Sequence, residues 1–425
     1  MPVPNMLPPL RCATAGSVDD GKSTLIGRLL LDAKALYTDQ LAHLDDVRHR
    51  RGLAERDLAL VTDGLRAERE QGITIDVAWR YFATATRRFI LADAPGHVQY
   101  TRNMVTAASH ADVAIILVDA RRGMTEQSRR HLFVARLLGV RGLTFAINKM
   151  DQVDFASAAF ADIRGSVTDY LSSIDLPRAA AELAFIPLSA LHGDNVVGRS
   201  SRTPWYEGPS LLEHLERAPV DADRSDAPSR FPVQCVLRAG GGVSADGRGY
   251  AGRVASGTFR AGDTVRVLPA DAPATILSIE TADGVIDEAR AGASVVLKLT
   301  TELDVGRGDL IVGALDKLPR VDTDLTADLA WVHKTESRLG APYLVKVGTR
   351  EVRASLEAVL SAYDVASGVA GDTDGRSLSL NDLARVRLRA REPVAIDAYA
   401  DARTTGSFLL LDATSGDTLA AGMAR

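Results

Sequence analysis

Cysteine is nearly absent: Cys12 and Cys235 are the two in 425 residues, far apart and outside any C-x-x-C pairing. That excludes a disulfide framework and fits reduced structural thiols. No apolar run reaches the roughly 18 residues of a membrane span, and Met1 to Pro9 lack the basic start and apolar core of a secretory signal. Neither sign of charge dominates. With 50 Lys and Arg against 55 Asp and Glu, the net charge is −5, which speaks against a protein built mainly to hold nucleic acid. His43, His49, His110, His131 and His333 lack metal-ligand spacing and read as surface or packing residues, so zinc is not indicated. No repeat or low-complexity tract is visible. What these absences leave is a cytoplasmic globular chain, 46% hydrophobic and 25% charged, long enough for about three domains.

What is present is a phosphate loop. Gly16-Ser17-Val18-Asp19-Asp20-Gly21-Lys22-Ser23-Thr24 fits G-x-x-x-x-G-K-[ST]. Leu10 to Ala15 before it can form a buried strand, and Leu25 to Leu31 after it opens a helix. Strand, glycine-rich loop and helix N-terminus together aim backbone N–H groups and the helix dipole at phosphate oxygens. Lys22 can reach the β- and γ-phosphates, and the Ser23 hydroxyl is placed for Mg²⁺.

The first half alternates strand and helix patterns, as in an α/β domain with a mostly parallel sheet. Short apolar runs at Phe89–Ala92, Val113–Val118, Thr144–Ile147 and Ala184–Leu188 suit buried parallel strands, while Asp76 to Thr84 suits an antiparallel edge. Thr125 predicts a helix N-cap and Gly139 a stop; Ser210 opens a last helix at Leu211 to Arg217. The charged stretch from Lys34 to Gln71 is too long for a plain connection, so it either carries helices of its own or is mobile, and such length often marks a functional loop. After a linker rich in Asp, Pro and Ser, the rhythm changes to short strands split by glycine turns, the pattern of small β-barrels. The expected division is an α/β phosphate-loop domain at 1–220, a β-barrel at 221–318 and a second all-β barrel at 319–425.

Three further motifs end strands at the sheet's carboxyl edge, where α/β sheets bind ligands. Asp93-Ala94-Pro95-Gly96-His97 offers an aspartate for Mg²⁺ and a glycine N–H for a γ-phosphate, which makes it a sensor of the bound nucleotide. Asn148-Lys149-Met150-Asp151 offers a carboxylate for the N1–H and N2 amino group of guanine, a pair adenine lacks. There Asn148 can bond the purine's other edge, the Lys149 stem can cover the ring face, and Ser189-Ala190-Leu191 can give a backbone N–H to guanine O6. Thr74, within Gly72-Ile73-Thr74-Ile75-Asp76, can complete the Mg²⁺ shell.

In this order, and ahead of two β-barrels, these motifs resemble the translation-factor-like GTPases over nearly the whole chain. Ser17 and Asp20 inside the loop, Leu60 to Gly72, Pro95 to Met104 and Arg248 to Val254 are similar to the GTPase subunits of bacterial sulfate adenylyltransferase. The resemblance implies GTP and Mg²⁺ as cofactors. It also implies a heteromer with a smaller catalytic ATP-sulfurylase subunit, which makes adenylyl sulfate and pyrophosphate from ATP and sulfate. An adenylyl-sulfate kinase, fused to this subunit in many bacteria, is a further candidate partner, and no second phosphate loop is present. His97 stands where the attacking water is oriented in this family, and Ala94 replaces a common threonine without touching Asp93, Gly96 or His97. A translation-factor-type GTPase delivering RNA to the ribosome is the alternative.

Overall fold

The computed structural model describes residues 7–51, 56–61, 76–95, 101–174, 182–220, 225–238, 248–371 and 377–425. The chain divides into two compact units, Met1–Val220 with Asp364–Ala370, and Asp221–Tyr363 with Gly371–Arg425.

The first unit is built on a six-stranded sheet of β1 (Leu7–Ala15), β2 (Ala78–Ala83), β3 (Arg87–Asp93), β4 (Val113–Asp119), β5 (Gly142–Asn148) and β6 (Glu182–Pro187). Their spatial order is β2-β3-β1-β4-β5-β6, and only β2, at the edge, runs antiparallel to its neighbour. The apolar runs dictate this arrangement, since strands covered on both faces by helices must be apolar on both. All seven residues of β4 are buried. From β1 the chain goes to β3 on one side and later to β4 on the other. That reversal leaves a crevice at the carboxyl end of β1.

The helices in order are α1 (Lys22–Asp32), α2 (Thr38–Arg51), α3 (Thr101–Ser109), α4 (Glu126–Leu137), α5 (Ser157–Ser173) and α6 (Leu211–Arg217). Thr125 caps α4 by accepting the Ser128 N–H. Ser210 and Glu213 form a reciprocal capping box at α6, where the sequence places a helix start. At the other end of α6, the buried Arg87 guanidinium donates to the carbonyls of Leu215, Glu216 and Ala218, which have no intrahelical donors. The charged stretch after α1 does carry a helix, α2. Its sequence has little apolar periodicity, and Leu44 is its buried apolar residue.

Among its described residues the second unit is all-β, apart from one helical turn at Arg403–Gly406. Two seven-stranded sheets each close on themselves, Thr264–Leu268 pairing with Ala272–Thr281 in one and Pro342–Val347 with Arg350–Asp364 in the other. Each is therefore a six-stranded antiparallel barrel with one extra strand outside the ring. Ala272–Thr281 was not legible as a strand: Pro273 near its start and a broken alternation hide it, and barrel closure supplies the missing partners. Among the described residues, no helix is long and apolar enough to cross a membrane.

A buried ion pair joins the two barrels. Arg230, in the first strand of one, donates from Nε and Nη2 to Asp397 of the other, both at 2.9 Å. The same guanidinium meets the carbonyls of Ser229 and Lys317, and Asp397 also accepts the Thr405 hydroxyl at 2.6 Å. With all three guanidinium nitrogens hydrogen-bonded, the pair is held firmly but is intolerant of losing one member. Arg230→Met should cost about 3–5 kcal/mol in urea unfolding of the full chain, because it strands a buried carboxylate. Adding Asp397→Leu should recover part of that loss.

Candidate functional site

The loop from Gly16 to Gly21 leaves β1 at the crevice and turns into α1 through left-handed backbone. Gly16 has φ 145°, Asp19 66° and Gly21 94°. A Cβ at Gly16 would lie 2.9 Å from the Leu117 carbonyl, and one at Gly21 only 2.5 Å from Asn148 Nδ2. Both positions therefore require glycine. Lys22 and Ser23 open α1, with no acidic residue in its first turn. Inside the loop, the Asp20 carboxylate accepts the Ser17 N–H at 2.6 Å, and Val18 is half-buried while Asp19 is exposed.

The Lys22 ammonium is buried and donates to two carbonyls of its own loop, Gly16 at 3.0 Å and Ser17 at 2.8 Å. Among the described residues it forms no ion pair. Burial lowers its pKa, against the pull of Asp93, Asp20 and Asp19. A buried cation held by neutral carbonyls is the donor set an anion needs. At the end of β3, Asp93 is buried and accepts the Thr14 hydroxyl at 3.1 Å; Ala94 and Pro95 follow it and are buried too.

Asn148 fastens this loop to the next strand ends. Its Nδ2 donates to the Asp20 carbonyl at 2.7 Å, and its Oδ1 accepts the Ala190 N–H at 2.9 Å. Lys149 has left-handed backbone, and its ammonium donates to the Asp19 carbonyl. Met150 is buried beneath the turn, and Asp151 is fixed by the Ser189 hydroxyl, which donates to its Oδ1 at 2.6 Å. From α1, Arg28 donates to the carbonyls of Ala190 and Leu191, bracing that loop. The crevice thus gathers Gly16 to Thr24, Asp93 to Pro95, Asn148 to Asp151 and Ser189 to Leu191. Thr74, Gly96 and His97 lie outside the described residues.

His131, set aside in the sequence as a surface or packing residue, is part of this site. It is buried, and its Nδ1 accepts the Gly16 N–H at 2.9 Å. The neutral ring then carries its proton on Nε2, and the Gln127 side-chain amide, 2.8 Å away, accepts it once its oxygen is turned towards the ring. Burial, and the charges of Lys22 and Arg130, push its pKa down to about 3. Next to it the Ser17 and Thr125 hydroxyls lie 2.5 Å apart, so the first turn of α4 is docked on the loop. A histidine on an apolar helix face gives no such signal in the sequence. Only the packing of α4 brings it to Gly16.

The family model for the elongation factor Tu GTP binding domain matches residues 8–221, and that for the GTP-eEF1A C-terminal domain-like family matches 324–425. The chain is 49% identical over 415 residues to the bifunctional enzyme CysN/CysC of Mycobacterium tuberculosis, covering 97% of this chain and 67% of that one. It is 47% identical over 418 residues to sulfate adenylyltransferase subunit 1 of Laribacter hongkongensis, covering 98% and 85%. To the subunit 1 of Teredinibacter turnerae it is 46% identical over 417 residues, covering 98% and 87%.

The neutral His131 has a consequence for acid stability. Its folded pKa lies below the ordinary value of about 6.5, so between pH 6.5 and about 3 the unfolded chain binds a proton that the folded one refuses. Stability from this group is full above pH 6.5 and falls as pH drops, by about 1.4 kcal/mol per unit. His131→Asn keeps an acceptor but cannot titrate. From pH 7 to pH 5, the wild type should lose about 2 kcal/mol more than this variant in urea unfolding; equal losses would show that His131 is charged in the fold.

Proposed function

The chain belongs to the sulfate adenylyltransferase subunit 1 family, and from that premise we propose roles for the residues of its crevice. The protein is the GTP-hydrolysing regulatory subunit of a sulfate adenylyltransferase, coupling hydrolysis to formation of adenylyl sulfate and pyrophosphate from ATP and sulfate. Delivery of RNA to the ribosome gives way to this reading, because relatives matching nearly all of the chain at 45–47% identity are named for sulfate adenylyltransferase. Being a subunit 1 implies a partner subunit. We assign that partner to the smaller ATP-sulfurylase chain that handles ATP and sulfate, with an adenylyl-sulfate kinase as a further candidate.

One observation carries the site assignment: a buried Lys22 ammonium bonded to the carbonyls of a loop whose two glycines admit no Cβ. Phosphate oxygens supply the counter-charge this cation lacks, and the N–H groups from Asp19 to Thr24 line the same turn. The donor set fits Mg²⁺ as well, with the Ser23 hydroxyl and the buried Asp93 carboxylate as its holders and Thr74 proposed from the resemblance. When bound, Mg²⁺ neutralises charge on the phosphates. Lys22 offsets the charge that develops on the γ-phosphate as water attacks in line. His97 is proposed to orient that water, and the Gly96 N–H to sense the γ-phosphate.

On the base side, Asp151 is held in one orientation by Ser189 and pairs with guanine N1–H and the N2 amino group. Asn148 is occupied at both ends of its amide, so its part is to tie the phosphate loop to the base loop. The Ala190 N–H is already shared with Asn148, so guanine O6 receives either that donor or the Leu191 N–H beside it.

Two measurements test this. With the catalytic subunit present, sulfate-dependent ATP–pyrophosphate exchange should rise on adding GTP; no response would overturn the coupling role. Asp151→Asn should move preference from GTP to xanthosine triphosphate by roughly 100-fold or more, because the amide matches the O2 of that base. Unchanged selectivity would reject Asp151 as the base reader.

A further inference from the structure

Asp119 ends β4, and strand register sets it opposite Asn148 at the end of β5. It lies in none of the sequence motifs. Its side chain is 1% exposed, yet it is an anchor for two cations. The Lys149 ammonium sits 2.9 Å from Oδ2. Arg121 donates its backbone N–H and Nε to Oδ1, both at 3.0 Å, and Nη2 to Oδ2 at 2.6 Å. Burial raises the pKa of this carboxyl, but the hydrogen bonds from Arg121 and Lys149 outweigh it and hold Asp119 well below the ordinary carboxylate range. It is charged in the fold.

Lys149 is a long, flexible side chain starting from left-handed backbone, and nothing in its own turn fixes its course. Its course is set at the far end, by Asp119 on one side and the Asp19 carbonyl of the phosphate loop on the other. We propose that Asp119 is a positioning residue for the nucleotide. It pins the Lys149 ammonium to the phosphate loop, so that the methylene stem stands ready as a flat apolar wall for the purine ring. This rests on the reading of Lys149 as the ring-covering residue. A wall contacts the ring face and ignores the exocyclic groups. Its loss therefore weakens every 6-oxopurine alike, whereas loss of Asp151 alters the choice among them.

The test uses the full chain and compares dissociation constants for GDP and IDP. Asp119→Asn keeps shape and removes charge; Lys149→Met keeps a stem and removes the ammonium. Each should weaken GDP and IDP by the same factor, roughly 10-fold, the worth of one charge-assisted hydrogen bond. The double variant should be no weaker than Lys149→Met alone, within about 2-fold, since both act through one contact. Arg121→Ala should stay within about 2-fold of wild type, because the Lys149 pair survives it. The proposal is overturned if Asp119→Asn binds like wild type, if the two penalties multiply in the double variant, or if Arg121→Ala costs as much as Asp119→Asn. Each of these would confine Asp119 to folding of its own turn. The base reading fails separately: Asp151→Asn would then leave the ratio of GDP to IDP affinity unchanged, whatever Asp119→Asn does.

Discussion

The first unit is arranged around an ammonium group taken out of water. A buried lysine that forms no ion pair among the described residues is an expensive arrangement; carbonyl dipoles and the more distant Asp93, Asp20 and Asp19 compensate only in part. Here the carbonyls of Gly16 and Ser17 do so, and they are in place because the loop backbone is wound left-handed at three points. Asp20 cross-braces the loop from inside, Asn148 and Lys149 hold it from β5, and His131 takes the one N–H at Gly16 that faces the helix layer. These contacts fix the position of the cation and the course of its loop.

Sheet order explains why so few residues do so much. Because β1 sits between β3 and β4, the ends of β1, β3, β4 and β5 open on one crevice. Each strand then contributes a single short turn: the phosphate loop, Asp93, Asp119 and the Asn148–Asp151 turn. The turns are bonded to one another more than to the helices behind them. Asn148 alone bridges two of them, and Lys149 bridges the phosphate loop to the end of β4. A crevice assembled this way has no independent halves: the phosphate loop and the Asn148–Asp151 turn share their supports.

Much of this was legible in the sequence, and the reason is physical. Phosphate binding through backbone needs glycine at fixed spacing, and base recognition needs a carboxylate just past a strand, so Gly16, Gly21, Lys22 and Asp151 announce themselves. Thr125 and Ser210 were readable as helix starts because capping is local. What stayed hidden depends on contacts between distant elements. His131 looks like any helix-face histidine until α4 is laid against Gly16. Asp119 looks like a strand-end aspartate until β4 and β5 pair. The strand Ala272–Thr281 becomes one only when its barrel closes. Thr74 and His97 were readable by motif and fall outside the described residues.

The Arg230–Asp397 pair bears on how the second unit handles force. Two barrels joined by a flexible hinge can absorb a push by bending between them. A bidentate guanidinium–carboxylate clamp in a buried seam, with backbone carbonyls and the Thr405 hydroxyl as further partners, opposes such bending. A displacement that pulls the barrels apart at this seam has to break several charge-assisted hydrogen bonds at once.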